Sequence, residues 1–228
     1  MISAVVFDAF GTIVRIGQRT NPYSALLREG RRQGVALAPD STHFVMTANL
    51  SFDHVADHLQ IELSSSKRDE MNHALGKELA SIELYPDALE AIDLLQEVGV
   101  VIGICSNLAQ PYGPVVRKAF PQVQSHAFSY ELGVMKPDPR IYLSICRELG
   151  MEASHTEFER TREKDRVVMI GDSRKCDRDG PRAVGIEGYH LDRSGMGQIS
   201  DLMQFANLVS ERNRALCGSS TQSRGEPT

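Results

Sequence analysis

The start of the chain places an aspartate directly after a buried strand. Residues 2–7 are almost all apolar, and the run ends at Asp8, which is followed by Gly11 and Thr12. A short apolar run bounded by turn residues is typical of a strand buried on both faces of a parallel sheet. In open α/β folds, ligands bind at the carboxyl ends of such strands. An aspartate before a glycine also occurs as an ordinary turn residue, so the function of Asp8 depends on what the rest of the chain brings to it.

Two later apolar runs end in the same way. Residues 100–105 lead directly into Ser106, and residues 167–170 lead through a glycine into Asp172. Helical patterns separate these runs, and the alternation predicts an α/β fold, with a parallel sheet covered by helices on both faces. Because the carboxyl ends of parallel strands meet at one edge of the sheet, we expect Asp8, Ser106 and Asp172 to lie close together.

The region between the first two of these strands is predicted to be helical. No convincing strand interrupts it, so residues 15–83 are expected to form a small α-helical lobe. The α/β core is then discontinuous and consists of residues 1–14 and 84–212. The helices of the lobe are expected at about residues 21–34, 41–59 and 66–82.

Two stretches outside these elements lack apolar periodicity. Residues 152–166 are rich in charge and are predicted to form an exposed loop. The last helix of the core is expected at about residues 199–212. The polar residues 213–228, which are rich in Ser, Gly and Pro towards their end, are predicted to be a disordered tail.

The composition excludes several classes of protein. The chain has 228 residues and a net charge of −5, with acidic and basic residues mixed along it, which argues against nucleic acid as a partner. No apolar run is long enough to span a membrane, and the first residues carry no basic leader. The four cysteines show no CxxC spacing, so reduced thiols in a cytoplasmic protein are expected.

The polar residues at the strand ends suit phosphoryl transfer. Asp8 is able to act as a nucleophile and form an acyl-phosphate, or an ester, that water later hydrolyses. Positive charge and hydrogen-bond donors are needed around the transferred group. The candidates are Lys136, the hydroxyl of Ser106 and the backbone amides of the Gly11–Thr12 turn.

Three carboxylates suggest a divalent cation at the same edge. Asp8, Asp172 and Asp177 offer clustered oxygens, and Mg²⁺ fits such a set because it keeps waters and accepts only a few protein carboxylates. Each residue alone has an ordinary explanation, since Asp172 would suit a helix N-cap and Lys136 a solvated surface. The combination of these residues and their order along the chain favour a metal site over these separate explanations.

The sequence resembles the haloacid dehalogenase-like hydrolase superfamily in four motifs, which occur in the family's order. The resemblance covers nearly the whole chain apart from the 152–166 loop and the tail. The matching stretches are Phe7-Asp8-Ala9-Phe10-Gly11-Thr12, Ile104-Cys105-Ser106-Asn107, Gly133-Val134-Met135-Lys136-Pro137, and Ile170-Gly171-Asp172-Ser173 with Asp177 and Gly180.

This resemblance implies a fold and a set of catalytic residues. The fold is a Rossmann-like parallel-sheet core, with an α-helical cap inserted between the first two motifs, as expected for residues 15–83. Asp8 corresponds to the nucleophile, and Ser106 and Lys136 correspond to the residues that hold the phosphate. A small anionic molecule is therefore the expected substrate.

The resemblance also implies a Mg²⁺ site and contacts to substrate. Asp8 and Asp172 would be ligands, and Asp177 would bind the ion directly or through water. The backbone carbonyl of Phe10 would be a further ligand, which its side chain does not affect. Substrate binding is assigned to Thr12 and Asn107, which stand in the first and second motifs.

Phe10 departs from the pattern of the family's phosphatases. Those enzymes carry a second aspartate two residues after the nucleophile as a general acid, whereas the family's dehalogenases resemble this chain in having an aromatic residue there.

Three hypotheses for the function follow. The first is Mg²⁺-dependent hydrolysis of a small phosphorylated metabolite through an aspartyl-phosphate. The second is a metal-independent 2-haloacid dehalogenase that uses an aspartyl ester. The third is a catalytically weak member with a binding role.

Overall fold

The computed structural model describes residues 1–152 and 166–221. A sheet of parallel strands forms its centre, and a short antiparallel pair lies apart from it. The strands are β1 (Ile2–Phe7), β2 (Val14–Ile16), β3 (Ile82–Leu84), β4 (Val101–Ser106), β5 (Ser125–Phe128), β6 (Arg166–Gly171) and β7 (Glu187–His190).

Helices connect the strands and cover the sheet. The α-helices are α1 (Pro22–Arg32), α2 (Ser41–Thr47), α3 (Phe52–His58), α4 (Ser65–Ala80), α5 (Pro86–Glu97), α6 (Gly113–Ala119), α7 (Ser129–Leu132), α8 (Pro139–Glu148), α9 (Gly180–Arg182) and α10 (Leu202–Thr221). A 3₁₀-helix spans Gln110–Tyr112, and a π-helix spans Arg174–Asp179. Within the described ranges, no helix combines the length and the apolar character needed to cross a membrane.

The main sheet confirms the predicted α/β fold. Its strand order is β5-β4-β1-β6-β7, and every neighbouring pair is parallel. Phe7, at the end of β1, is level with Ile104 on β4 and with Ile170 on β6. The chain therefore builds outwards from β1 on one side and then returns to build on the other. Such a reversal leaves a crevice at the carboxyl ends of the central strands.

Both faces of β1 are buried, as its apolar run predicts. Val5 and Phe7 face one side, where the ring of Phe7 packs edge-on against Phe205 of α10 at 6.3 Å between centroids. Ala4 and Val6 face the other side, in the layer that contains α8. Full burial of a large apolar side chain such as Phe7 contributes about 1.5–3 kcal/mol. The strand that carries Asp8 is therefore held rigidly.

A helical segment, residues 17–81, interrupts the core between β2 and β3. The chain leaves through β2 and returns through β3, which pair antiparallel with Val14 opposite Leu84. This pair was not predicted from the sequence. The single helix expected at residues 41–59 is also wrong, because the chain forms α2 and α3 with an extended break at Ala48. Ser51 then caps α3 by accepting a hydrogen bond from the backbone N–H of His54.

The carboxyl-terminal helix is longer than expected. It ends at Thr221 instead of about residue 212, so the predicted disordered tail is wrong for residues 213–221. The buried side chain of Asn213 contributes to this, because it bonds the backbone N–H and C=O of Ile2 at 2.7 and 2.8 Å. Residues 222–228, and residues 153–165 of the predicted loop, lie outside the described residues.

Candidate active site

Asp8 lies where the central strands end. Its backbone N–H donates to the carbonyl of Ile170 at 3.0 Å, which fixes the residue against β6. On the other side, the hydroxyl of Ser106 donates to Asp8 Oδ1 at 2.9 Å. Both side chains are buried. The ends of β1 and β4 therefore bring these two predicted residues into direct contact.

Lys136 is the buried cation of the site. Its Nζ donates to Asp8 Oδ1 at 2.6 Å, to Asp177 Oδ1 at 2.7 Å and to the carbonyl of Cys105 at 2.9 Å. Burial by itself would lower the pKa of Lys136, but the two carboxylates outweigh it and raise that pKa well above its ordinary value. The lysine is therefore a fixed positive charge, with all three of its donors in use.

Asn107 positions this lysine. Its side-chain Nδ2 donates to the carbonyl of Lys136 at 3.0 Å, and its Oδ1 accepts from the N–H of Lys136 at 2.7 Å. From the sequence Asn107 was assigned to substrate binding. The structure instead uses both ends of its amide on the lysine backbone, although the residue also lines a neighbouring pocket.

The three predicted carboxylates come together. Ligand oxygens of Asp8, Asp172 and Asp177 lie within 4.8 Å of one another. Burial, reinforced by the charge of Asp8, raises the pKa of Asp177 to about 6 against the opposing effect of Lys136. Partial desolvation and the charge of Asp8 also raise the pKa of Asp172. One lysine thus faces three carboxylates, and the site has an excess of negative charge.

Two glycines allow this close approach. A Cβ on Gly171 would lie 2.7 Å from Cβ of Asp8 and 2.4 Å from Cγ of Asp177. Gly11 has a φ of +85°, and a Cβ there would lie 2.1 Å from Oδ2 of Asp172. Side chains at these positions would displace the carboxylates, so both glycines of the sequence motifs have a steric explanation.

The turn after Asp8 differs from the prediction. The amides of Gly11 and Thr12 were expected to hold a phosphoryl group, but they donate to the carbonyls of Val14 and Ala9 at 2.9 and 3.2 Å. In the part of the chain that the structure describes, the amides of Ala9 and Phe10 have no acceptor. These two N–H groups, which sequence reasoning missed, follow Asp8 directly.

Thr12 connects two of the carboxylates. Its hydroxyl donates to Asp8 Oδ2 at 3.4 Å and accepts from the backbone N–H of Asp172 at 3.2 Å. The side chain is fully buried. Its contacts are therefore those of a residue that positions the cluster, whereas substrate binding was predicted from the sequence.

The donor set fits a hard divalent cation. Carboxylate oxygens are the ligands that Mg²⁺ prefers, and it is usually bound by one or two carboxylates together with waters. The carbonyl oxygen of Phe10, also predicted as a ligand, accepts no hydrogen bond from the described residues. A dication would balance the negative charge that Lys136 leaves uncompensated.

An apolar pocket opens beside Phe10. It has a volume of about 340 Å³ and lies between the sheet edge and helices α1, α2 and α4. The ring of Phe10 packs edge-on against Tyr112 at 5.7 Å between centroids. The Tyr112 hydroxyl donates to Glu78 of α4 at 2.7 Å. Sequence reasoning missed Glu78 and Tyr112, because no motif marks a contact between residues so far apart in the chain.

The fold and the site define an α/β enzyme with a buried carboxylate–lysine centre at its topological switch point. A family model described as haloacid dehalogenase-like hydrolase matches residues 2–185. The chain belongs to this family of hydrolases, which confirms the resemblance found in the sequence motifs.

The relatives include enzymes of two activities. Phosphatase MT3486 of Mycobacterium tuberculosis (strain CDC 1551 / Oshkosh) is 27% identical over 157 residues, which cover 66% of this chain and 66% of the phosphatase. The chain thus spans just under two thirds of that relative's length. (S)-2-haloacid dehalogenase 4A of Burkholderia cepacia is 27% identical over 180 residues, covering 69% of this chain and 74% of the dehalogenase.

A solved structure shares the fold. A HAD family enzyme from Bacteroides thetaiotaomicron, in complex with magnesium and inorganic phosphate, aligns with a TM-score of 0.59. The alignment covers 87% of this chain and 98% of that chain, at 15% identity. At this identity the likeness shows the fold alone.

Proposed function

We propose that the protein is a Mg²⁺-dependent hydrolase of small phosphate monoesters, with Asp8 as the nucleophile. The observation that carries this proposal is the convergence of Asp8, Asp172 and Asp177 within 4.8 Å around a single buried lysine. Carbon–halogen cleavage by a carboxylate needs no cation, whereas phosphoryl transfer requires positive charge around the phosphoryl oxygens. Such an acidic cluster is best explained by a bound dication.

The residues of the site divide the reaction into two displacements. A carboxylate oxygen of Asp8 attacks phosphorus, and the bond to the alcohol oxygen breaks with its electron pair. Water then attacks the phosphorus of the aspartyl-phosphate, which releases phosphate and restores the carboxylate. Lys136 and Ser106 hold Asp8 in place, and the free amides of Ala9 and Phe10 offer donors to the phosphoryl oxygens.

Bound Mg²⁺ would supply further positive charge at the phosphoryl oxygens. Asp8, Asp172, Asp177 and the carbonyl of Phe10 are the groups that would hold it. The close approach of the three carboxylates supports this assignment. The phosphatase relative from Mycobacterium tuberculosis supports the reaction.

The leaving alcohol needs a proton, and the residue two positions after Asp8 is not an acid in this chain. Phe10 cannot supply it. Burial and the adjacent Glu78 raise the pKa of Tyr112, which makes that phenol a poor acid. Burial would raise the pKa of Glu78, but hydrogen bonds from Tyr112, Asn21 and Thr20 lower it, so this carboxyl carries no proton at neutral pH. Water is therefore the proposed proton source.

The helical segment is proposed to act as a cap. Besides the contact between Tyr112 and Glu78, the Ser129 hydroxyl of α7 donates to the carbonyl of Met46 at 2.6 Å. Both hydrogen bonds connect the α/β core with residues 15–83. Closure of such a cap would exclude water from the aspartyl-phosphate until the alcohol has left.

A second candidate is hydrolysis of 2-haloacids. Phe10 favours it, because a halide leaves without a proton and needs no general acid, and the relative from Burkholderia cepacia carries that activity in its name. In this reaction Asp8 would attack carbon and form an ester. The cluster of three carboxylates has no role in that chemistry, so the phosphatase is preferred.

One set of assays distinguishes phosphate ester hydrolysis from 2-haloacid hydrolysis. Phosphate monoesters and 2-haloacids are each incubated with the protein, once with Mg²⁺ and once with a chelator. Release of phosphate that requires Mg²⁺ supports the proposal. Release of halide that persists with chelator would support the second candidate, and turnover of neither class would favour a binding role.

A further inference from the structure

The pocket beside Phe10 is walled by aromatic and aliphatic side chains. Phe10 and Tyr112 line it from the α/β core, and Tyr23, Leu27 and Val45 line it from α1 and α2. Its volume of about 340 Å³ is at the small end of the range for ligand sites. An organic group of about the size of one ring therefore fits beside Phe10, two residues after Asp8.

Glu78 gives this pocket a negative charge. The side chain is buried and lines the pocket. It accepts hydrogen bonds from the backbone N–H groups of Thr20 and Asn21 at 2.6 and 2.8 Å, and from the hydroxyl of Tyr112 at 2.7 Å. These donors are all neutral. Among the described residues, no lysine or arginine forms an ion pair with this carboxylate.

Nothing in the pocket wall balances that charge. No lysine, arginine or histidine is among the described residues that line it. Arg19 acts electrostatically on Tyr112, but it is exposed to solvent and is not part of the wall. Lys136 does not line the pocket either, and its charge is engaged by two carboxylates.

We propose that this pocket holds the alcohol part of the substrate and that Glu78 selects against negative charge there. The substrate class is then a phosphate monoester whose organic part is apolar and carries no carboxylate or second phosphate. The proposal rests on the phosphatase function for the identity of the ester. Two like charges brought together in a poorly hydrated pocket repel strongly, since little water screens them. The hydroxyl of Tyr23, which has no hydrogen-bond partner among the described residues, offers a contact to a neutral polar group.

The test compares esters that differ in one charge. 4-Carbamoylbenzyl phosphate and 4-carboxybenzyl phosphate have the same shape, and the methylene group insulates the leaving oxygen from the substituent. With the wild-type protein, kcat/KM for the carbamoyl ester should exceed that for the carboxy ester by about tenfold or more, mainly through KM. The cationic 4-(aminomethyl)benzyl phosphate should be used at least as well as the carbamoyl ester. Equal use of all three esters by the wild-type protein would overturn the proposal.

A substitution of Glu78 tests whether this residue causes the discrimination between the esters. Glu78→Gln removes the charge and keeps an acceptor for the backbone donors, so the ratio between carbamoyl and carboxy esters should fall towards one. Glu70→Gln is the matched control, because Glu70 lies on the same helix with an exposed side chain. An unchanged ratio in a folded Glu78→Gln protein would contradict the role of Glu78. If this variant does not fold, the wild-type charge series still decides the proposal.

A binding measurement separates this inference from the proposed function. If no phosphate ester is hydrolysed, the phosphatase proposal fails, but the pocket is tested by the three corresponding benzyl alcohols. NMR titration of the wild-type protein should show binding of the neutral and cationic alcohols, and binding of the carboxylate at least about tenfold weaker. Equal binding of all three alcohols would reject the charge selection by itself.

Discussion

The edge of the sheet and the pocket beside it are built in different ways. At the sheet edge, Lys136 donates hydrogen bonds to Asp8 and Asp177, and the carboxylate of Asp172 lies close to the other two carboxylates. In the pocket, the walls are apolar, and a single charge at Glu78 is held by neutral donors. The first region is suited to a phosphoryl group and a dication, and the second to an organic group without negative charge.

The difference shows how chemistry and selectivity are divided in this molecule. The sheet edge is assembled from residues that end or directly follow the central strands, together with Lys136 and with Asp177 of the π-helix. The pocket draws most of its wall from helices α1, α2 and α4, which lie outside the sheet. Substitutions at the edge should therefore affect the reaction with every substrate, whereas substitutions in the pocket should change which substrate is used.

The largest effect is expected from Asp8, the proposed nucleophile. Asp8→Asn should lower kcat by ~10³-fold or more for every substrate, because an amide cannot form the covalent intermediate. The change is isosteric and keeps an acceptor for Ser106 and Lys136, so circular dichroism should be unchanged. The measurement is steady-state release of phosphate from an aryl phosphate. Turnover within tenfold of wild type by the folded variant would reject the assignment.

Removal of the buried lysine should destabilise the metal-free protein. Lys136→Met leaves Asp8 and Asp177 buried without their cationic partner, and loss of one member of a buried ion pair costs about 3–5 kcal/mol. Urea unfolding with a chelator present should show a loss of this size, and added Mg²⁺ should recover part of it. Lys175→Met is the control, since Lys175 is exposed in the neighbouring π-helix, and its expected change is within about 0.5 kcal/mol. Equal losses in the two variants would contradict the buried pair.

Phe10 lies where the two regions meet and should decide how turnover depends on the leaving group. Without a general acid, an activated aryl phosphate should be hydrolysed ~10²-fold or more faster than an alkyl phosphate of similar size. Phe10→Asp should narrow this gap by about tenfold, because it returns an acid near the leaving oxygen. Phe10→Asn is the matched control, since it removes the same ring and cannot donate a carboxyl proton. If wild type hydrolyses both esters equally fast with chemistry rate-limiting, another group supplies the proton.

The pH dependence of metal binding is the smallest expected effect. The pKa of Asp177 is raised from 3.8 to about 6 in the metal-free protein, so a proton competes with the cation below that pH. The affinity for Mg²⁺ should therefore fall as the pH is lowered through 6, by up to about tenfold for each unit below it. The contribution of Asp177 to the stability of the metal-free protein changes with pH in the opposite direction. Folded Asp177 holds a proton that the unfolded chain releases, so its contribution to stability grows as the pH falls from 6 towards 4.

Calorimetric titration with Mg²⁺ at pH 5, 6 and 7 measures this dependence. Asp177→Asn should remove the step near pH 6 and weaken binding at pH 7. A step that is unchanged in this variant would place the titrating group elsewhere.

The sheet edge could be predicted from the sequence because topology alone brings its residues together. Asp8, Ser106 and Asp172 each follow an apolar run, and parallel strands must end at the same edge. The confirmed α/β fold follows from the same alternation of patterns. Their proximity in space was therefore predictable, although their catalytic roles are still predictions.

The details that depend on turn geometry and on distant contacts could not be predicted in this way. The amides of Gly11 and Thr12 are used within their own turn, and Asn107 is used on the backbone of Lys136. Glu78 meets Tyr112 across 34 positions of the chain, and neither carries a motif. The predicted disorder was wrong for residues 213–221, where Asn213 contacts Ile2 at a distance along the chain that no local pattern reveals.

The central claim is that Asp8 becomes phosphorylated in the presence of Mg²⁺. The direct measurement is mass spectrometry of the peptide that contains Asp8, after rapid acid quenching during turnover of an aryl phosphate. With Mg²⁺, a phosphoryl group should be found on Asp8 itself, and it should be absent with chelator and in Asp8→Asn. An Asp8 peptide that stays unmodified during rapid release of phosphate would contradict the account. An ester on Asp8 after a parallel incubation with a 2-haloacid and no metal would also contradict it.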